Sequence, residues 1–254
     1  MEVQILGSLA VQSGDQLYRL PSKRVRTVLA LLALTPGEPV GVDHLIDQLW
    51  PDRRMGNSRN ALQANIGRLR RFLESITDSG TGRVVRTLSE SYVLELPPEA
   101  VDSHLFLSLA ERGAMEVGTS HEEAIALLEQ ALRLWRGPAL FDLYDSPRLQ
   151  LEAHHLDEQR LSVREDLIAA KLAVGRIRSV IPELRQLTQL HPGRERFSEQ
   201  LMQALYRDGR QTEALDVFHR TRSWLVRELG LEPGHRLSGV YHSILTHDPV
   251  LDRQ

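Results

Sequence analysis

The first twenty residues carry short apolar stretches interrupted by turn residues. VQIL, SLAVQ and QLYRL are separated by Gly7 and by Ser13-Gly14-Asp15, so this region predicts three short strands. From Ser22 onward the apolar residues recur every three or four positions, which predicts a helix. Ser22 is of a residue type that caps helices, and Pro36-Gly37 ends the pattern.

Two further helices and a hairpin are predicted before residue 97. VDHLIDQLW has one apolar face and is stopped by Pro51, and a longer helical pattern runs from about Ser58 to Glu74. RVVRTL and YVLEL follow the SGTG loop and predict the two strands of a hairpin. Strands, three helices and a hairpin, in this order, predict a winged helix with an N-terminal sheet over residues 1–96.

Pro97-Pro98 separates this region from a second predicted domain, residues 98–254. Most glycines and prolines there fall between helical segments, and Pro182 suits a first turn. The predicted helices are 103–117, 120–135, 147–174, 178–190, 194–208, 211–229 and 235–246. The predicted fold class is therefore mainly α, with an α+β winged helix followed by an all-α domain.

The second half contains an internal repeat. Gly175-Arg176 begins GRIRSVIPELRQL, and Gly209-Arg210 begins GRQTEALDVFHRT, an offset of 34 residues. This is the period of tetratricopeptide helix pairs, so we predict a tetratricopeptide-like stack. The alternative is a generic helical bundle.

The charge distribution changes the functional picture more than the total charge does. The chain has a net charge of −3, which by itself disfavours a nucleic-acid binder. Residues 1–96 nevertheless carry a net +2, and positions 53–86 hold eight arginines against only Glu74 and Asp78. Because the local field governs attraction to phosphates, this segment is the candidate for DNA contact.

The third predicted helix, SRNALQANIGRLRRFLE, has the composition of a helix that lies in a DNA groove. Its apolar stripe faces inward, while small residues at Ala64 and Gly67 permit close approach to another surface. Arginine pairs with guanine, and asparagine or glutamine pairs with adenine. A merely solvated basic face is the alternative, and the surrounding winged-helix order favours the DNA interpretation.

We assign roles within this predicted interface as follows. Arg68 reads base edges together with Asn65 and Gln63, and Asn60 lies on the same outward face. The remaining predicted contacts are to phosphates, or to phosphate and the minor groove for the two wing arginines, and comprise Arg59, Arg70, Arg71, Arg83 and Arg86.

No catalytic constellation accompanies these features. His154-His155 lacks the HExxH spacing of a zinc site, so we expect no metal, no cofactor and no enzyme activity. No apolar run approaches the length of a membrane span, and the chain has no cysteine, so we expect a cytoplasmic, nucleoid-associated protein. Three tryptophans are expected in the core, namely Trp50, Trp135 and Trp224.

Several stretches carry a family resemblance. They are LGSLAV, KRVRTVLALLAL, VDHLIDQLWPD, ALQANIGRLRRFLE, SYVLELPPEAVDSHLF, LRLWRGPAL and EALDVFHRTRSWLVRELGLEPGHRL. Residues 1–96 resemble the OmpR-type winged helix. The whole chain resembles the Streptomyces antibiotic regulatory proteins, which activate secondary-metabolite gene clusters.

The resemblance implies partners as well as a fold. It implies that residues from about 98 onward form a bacterial transcriptional activation domain, and that the protein binds direct repeats near a promoter, as a homodimer on DNA, and recruits RNA polymerase holoenzyme. Arg68 and Arg70 match positions from which relatives contact DNA. The segment 51–57 matches a loop that commonly touches polymerase.

One position departs from the family pattern. Relatives usually have Gly-Tyr at the second wing strand, where this chain has Ser91-Tyr92, which puts the wing contacts in doubt because serine tolerates a positive φ less well. A phosphate-binding GxxxxGK[ST] segment is absent, so the chain resembles the small family members.

Two other functions remain open at the level of sequence. One is a helical-repeat adaptor whose basic N-terminal region binds an acidic protein partner. The other is a repressor with the same DNA-binding region, since activation and repression depend on where the site lies relative to the promoter.

Overall fold

The computed structural model describes residues 1–51, 57–76 and 84–248. The chain divides into two compact units. The first comprises Met1–Glu111 and Gln130–Leu161, and the second comprises Arg112–Glu129 and Ser162–Gln254. The first unit contains the winged helix together with segments that follow Pro97-Pro98, and the domain boundary at that pair stays a prediction.

The N-terminal sheet is antiparallel and confirms the three predicted strands. Its strands are β1 (Glu2–Gln4), β2 (Ala10–Ser13) and β3 (Gln16–Tyr18), in the order β1-β2-β3. Val3 lies opposite Val11, and Val11 lies opposite Tyr18. The inward side chains Val3 and Val11 are fully buried, so the sheet supplies one wall of the first unit's core.

Three helices follow, as predicted, and a second sheet closes the winged helix. They are α1 (Lys23–Ala33), α2 (Val42–Leu49) and α3 (Ser58–Ile76). The second sheet has the order β4-β6-β5 and consists of β4 (Val40–Gly41), β5 (Val85–Leu88) and β6 (Ser91–Leu94). Strand β4 was not predicted, because two residues are too few for a periodic pattern. Ser22 occupies the N-cap of α1, but its hydroxyl makes no capping hydrogen bond.

The remaining helices match the predicted ones to within two residues at each end. A short 3-10 turn at Pro98–Ala100 precedes them. The helices are α4 (Asp102–Glu116), α5 (His121–Arg133), α6 (Pro147–Ala173), α7 (Ile177–Leu190), α8 (Glu195–Arg207), α9 (Gln211–Leu229) and α10 (His235–Leu245).

Within the second unit, consecutive helices pack as antiparallel neighbours, α7 on α8 and α8 on α9. Gly175 and Gly209 lie at equivalent turns, with φ of +77° and +78°. This left-handed conformation is one that glycine adopts without steric cost, which explains its recurrence at the 34-residue period. The paired helices confirm the predicted repeat.

Only one of the three tryptophans lies in the core. Trp135 is buried and meets Phe106 edge to face, with ring centroids 5.2 Å apart. Trp50 is partly exposed beneath the guanidinium of Arg24, and Trp224 is partly exposed next to Gly193. The prediction was wrong for Trp50 and Trp224, because apolar neighbours along a helix do not show how deeply an aromatic ring is buried.

A hydrogen-bonded joint explains why the first unit extends beyond Pro97-Pro98. The Ile5 and Leu6 backbone N–H groups donate to the buried Asp102 carboxylate at 2.7 and 3.1 Å, and Arg136 Nη2 donates to it at 2.9 Å. In return, the Arg136 N–H donates to the Leu6 carbonyl oxygen, and the Leu140 N–H to that of Ile5. Burial raises the pKa of Asp102, and these hydrogen bonds act in the opposite direction.

The same joint accounts for three of the family stretches. LGSLAV supplies the N–H and carbonyl groups of Leu6, VDSHLF supplies Asp102, and LWRGPAL supplies Arg136. Gly7 has a φ of +146°, and a Cβ there would lie 3.2 Å from the Arg136 Cβ. The glycine is therefore required by backbone conformation and by close approach.

No helix among the described residues is both long enough and apolar enough to span a bilayer.

Candidate nucleic-acid interface

Helix α3 is anchored by the apolar stripe that the sequence predicts. Leu62, Ile66, Leu69 and Leu73 are all buried, and the helix packs against α1 and α2. Burying these four large aliphatic side chains stabilises the packing of α3 by roughly 1.5–3 kcal/mol each. The stripe fixes the rotation of the helix and therefore decides which residues face outward.

The outward face of α3 is small at its centre and polar at its edges. Its exposed residues are Asn60, Gln63, Ala64, Arg68 and Arg71, and Gly67 lies among them half-buried. A Cβ added at Gly67 would meet no atom of the described residues within 4 Å. The protein's own packing therefore does not require glycine at this position.

Arg68 and Arg71 have no carboxylate partner among residues 1–51, 57–76 and 84–248. Arg71 Nε makes only a long 3.4 Å contact with the Gly67 carbonyl oxygen of its own helix. Arg68 Nη1 lies 3.5 Å from Asn65 Oδ1. Both guanidinium groups are thus exposed and available to an external anion or base.

The structure differs from the sequence prediction at Asn65. Its side chain is only 3% exposed, and its Nδ2 donates to the Ala61 carbonyl oxygen at 2.9 Å. The helical periodicity placed Asn65 on the flank, and this bond to the preceding turn holds the amide against the helix instead. Asn65 cannot reach a base edge in this position, but its oxygen faces Arg68.

Arg70 connects α3 to the hairpin rather than projecting outward. Its Nε donates to the Val85 carbonyl oxygen at 2.9 Å, and its Nη2 donates to Thr87 Oγ1 at 2.7 Å. The guanidinium also lies over the Tyr92 ring at 5.9 Å from the centroid. The predicted phosphate contact is therefore replaced by an internal one, which fixes the hairpin relative to the helix.

The hairpin has a two-residue turn at Ser89 and Glu90. Ser89 has the positive φ, at +42°, whereas Ser91 is in β6 and its hydroxyl donates to the Leu88 carbonyl oxygen. The replacement of the family glycine by Ser91 therefore causes no left-handed strain. Arg86 is half-exposed and pairs with Glu95 at 2.5 Å. Arg83 lies outside the described residues.

Arg59, in the first turn of α3, is held by two carboxylates. Its Nη1 donates to Glu90 Oε2 at 2.6 Å, and its Nη2 donates to Asp43 Oδ1 at 3.2 Å. The hydrogen bond from Arg59 to Glu90, followed by the charges of Glu90 and Asp43, raises the pKa of Arg59. Sequence analysis missed both acids, since they lie on other elements and no local pattern brings them to α3.

An outward-facing helix α3 tied to a hairpin, with paired helices later in the chain, is the architecture of a transcription regulator with a winged-helix DNA-binding region. Residues 16–92 match the family of the C-terminal domain of transcriptional regulatory proteins. Residues 101–245, more than half of the chain, match the bacterial transcriptional activator domain. The chain belongs to the Streptomyces antibiotic regulatory protein family of transcriptional regulators.

Individual relatives match over nearly the whole chain. The transcriptional regulator RedD of Streptomyces coelicolor is 39% identical over 99% of this chain and 72% of its own length. The regulatory protein DnrI of Streptomyces peucetius is 37% identical over 100% of this chain and 95% of its own. Mycobacterium tuberculosis EmbR, solved in complex with a low-affinity phosphopeptide, superposes with a TM-score of 0.92 at 31% identity. The match covers 98% of this chain and 65% of EmbR.

Proposed function

We propose that this chain is a sequence-specific, double-stranded DNA-binding activator of a secondary-metabolite gene cluster. Helix α3 enters the major groove, which is wide enough to admit an α-helix. The hairpin lies beside it at the adjacent backbone. Transcription regulation follows from the family, and the DNA contacts described below are the specific content of the proposal.

The centre of the α3 face carries the proposal. Glycine inside a helix costs about 1 kcal/mol relative to alanine, and no internal contact at Gly67 accounts for that cost. The cost of glycine at this position is explained if the α3 backbone must closely approach a duplex. Arg68 and Arg71 have no carboxylate partner in the described ranges, and they flank Gly67 with groups that bind guanine edges and phosphates.

The exposed side chains divide into two roles. Arg68 reads a base edge, with Gln63 and Asn60 placed to contact neighbouring bases, and Arg71 contacts phosphate. Asn65 is a positioning residue, because its Oδ1 faces the Arg68 guanidinium. Arg70 and Arg86 serve the hairpin rather than the DNA, since both are held by groups of the protein itself.

On DNA we place two protomers on direct repeats near a promoter, as a homodimer. Half-sites of winged-helix and related proteins are spaced by one helical turn, about 10–11 base pairs. The helical region recruits RNA polymerase holoenzyme, in keeping with the match to the bacterial transcriptional activator domain. Residues 52–56 of the segment predicted to touch polymerase lie outside the described residues.

A genome-wide footprint of the full chain tests this function, because it returns the half-site sequence, the spacing and the distance to the promoter together. Arg68→Ala should then cost about 1–3 kcal/mol on the footprinted duplex and relax the base preference at one position. Transcription from that promoter by purified holoenzyme should rise when the wild-type chain is added. An equal loss on footprinted and random duplexes would remove Arg68 from base reading.

A further inference from the structure

The Arg59 cluster joins three elements at the edge of the DNA-facing surface. Arg59 lies in the first turn of α3, Asp43 in the first turn of α2, and Glu90 in the turn of the hairpin. All three side chains are more than half exposed. Each terminal nitrogen of the guanidinium donates one of its two N–H groups to a carboxylate, so two of the five N–H donors are engaged.

Stability alone does not explain this arrangement. Ion pairs between exposed side chains contribute little to stability, because water screens them and two long side chains must be immobilised. Two negative charges beside the α3 surface have a larger effect on an approaching polyanion. They repel phosphate directly, and they hold both terminal nitrogens with which arginine can bind a phosphate in a bidentate way.

We propose that Asp43 and Glu90 restrain Arg59 and thereby weaken the binding of DNA that lacks the recognised sequence. This inference rests on the proposed DNA-binding function. On DNA that lacks the recognised bases, Arg59 stays hydrogen-bonded to the two carboxylates and does not contact phosphate. The acids therefore act as selectivity determinants, since specificity is the difference between the affinities for right and wrong partners.

Neutralising one acid has a defined consequence under this proposal. Glu90→Gln leaves a weaker, neutral hydrogen bond to Nη1, so the guanidinium can turn to a phosphate. One added phosphate contact steepens the slope of log affinity against log salt by about 0.9. The gain on random DNA should therefore shrink about threefold between about 50 and 200 mM salt.

The experiment measures the affinity of the full chain for two probes across a salt series. The probes are a short random-sequence duplex and the duplex that the wild-type chain selects from a random library. The variants are Glu90→Gln, Asp43→Asn, Arg59→Ala and the double variant Glu90→Gln/Arg59→Ala. Asp15→Asn is the matched control, because Asp15 is an exposed acid of the same unit, in the turn between β2 and β3.

Glu90→Gln and Asp43→Asn should each bind the random duplex several-fold more tightly, with a steeper salt slope, and lose selectivity for the selected duplex. In the Arg59→Ala background, Glu90→Gln should have no such effect. Three results would overturn the proposed restraint of Arg59. They are an unchanged affinity for the random duplex, an equal gain from Glu90→Gln in the Arg59→Ala background, and an equal gain from Asp15→Asn. A wild-type chain that selects no sequence at all would instead overturn the proposed function, so the two failures are distinguishable.

Discussion

The Nε of Arg70 donates to the Val85 carbonyl oxygen at 2.9 Å and so joins helix α3 to β5, the first strand of the hairpin. Arg71, the next residue, projects into solvent without a carboxylate partner within the described part of the chain. Two adjacent arginines on one basic helix thus have different physical surroundings. Substitution of Arg70 should therefore lower stability, whereas substitution of Arg71 should lower DNA affinity.

Arg70→Ala should destabilise the fold by about 1–2 kcal/mol, because the Val85 carbonyl and Thr87 hydroxyl lose their partner. Hydrogen exchange should quicken at the amides of β5 and β6. The salt slope of DNA binding should stay that of the wild type. A flatter slope with unchanged exchange would place Arg70 on phosphate after all.

Arg71→Ala should leave the free energy of unfolding within about 0.5 kcal/mol of wild type, as expected for an exposed side chain. It should weaken selected and random duplexes alike and reduce the salt slope by about 0.9. Affinity measured against salt on both probes checks this. Loss confined to the selected duplex would make Arg71 a base reader.

Gly67→Ala should raise the free energy of unfolding by about 0.5–1 kcal/mol, since a Cβ there meets open space and alanine favours helix. The same methyl group should weaken DNA binding by holding the helix off the groove. Gly239→Ala in α10 is the matched control, because that Cβ also meets nothing within 4 Å. Gly239→Ala should raise the free energy of unfolding without changing DNA affinity. An unchanged DNA affinity for Gly67→Ala would argue against close approach of α3 to the duplex.

Helix α3 shows what could be predicted from sequence and what could not. Its bounds, its buried stripe and its exposed Arg68 follow from periodicity along one segment. The partners of Arg59 and Arg70 are between 15 and 31 residues away, on elements whose relative placement no local pattern encodes. Asn65 was misassigned for a local reason, since its amide bonds to the preceding turn rather than pointing along the flank.

The joint around Asp102 was equally invisible to sequence reasoning, because it connects residues as distant in the chain as Ile5 and Leu140. Proline pairs mark changes in local chain direction, and Pro97-Pro98 does so here. They carry no information on whether the segments on either side pack together. Helices α4 to α10, in contrast, were placed correctly because each is a long helical pattern within one segment, and most of the glycines and prolines lie between these segments.

Asp102→Ala should destabilise the first unit by about 2–4 kcal/mol, because two buried backbone N–H groups and the Arg136 guanidinium lose their acceptor. Urea unfolding of the full chain measures this effect. Glu99→Ala, at an exposed acid in the preceding 3-10 turn, is the control and should change little. Equal stability of the two variants would show that the joint does not hold the winged helix to the segments after residue 97.

The central claim is that the α3 face around Ala64 and Gly67 meets DNA, and the absence of cysteine from the chain allows a direct test. Ala64→Cys and Asp15→Cys each introduce a single exposed thiol, the second on the N-terminal sheet. Alkylation rates of both are measured with and without the selected duplex. We predict that DNA suppresses alkylation at position 64 and leaves position 15 unchanged. Unhindered alkylation at position 64 under saturating DNA would contradict the account.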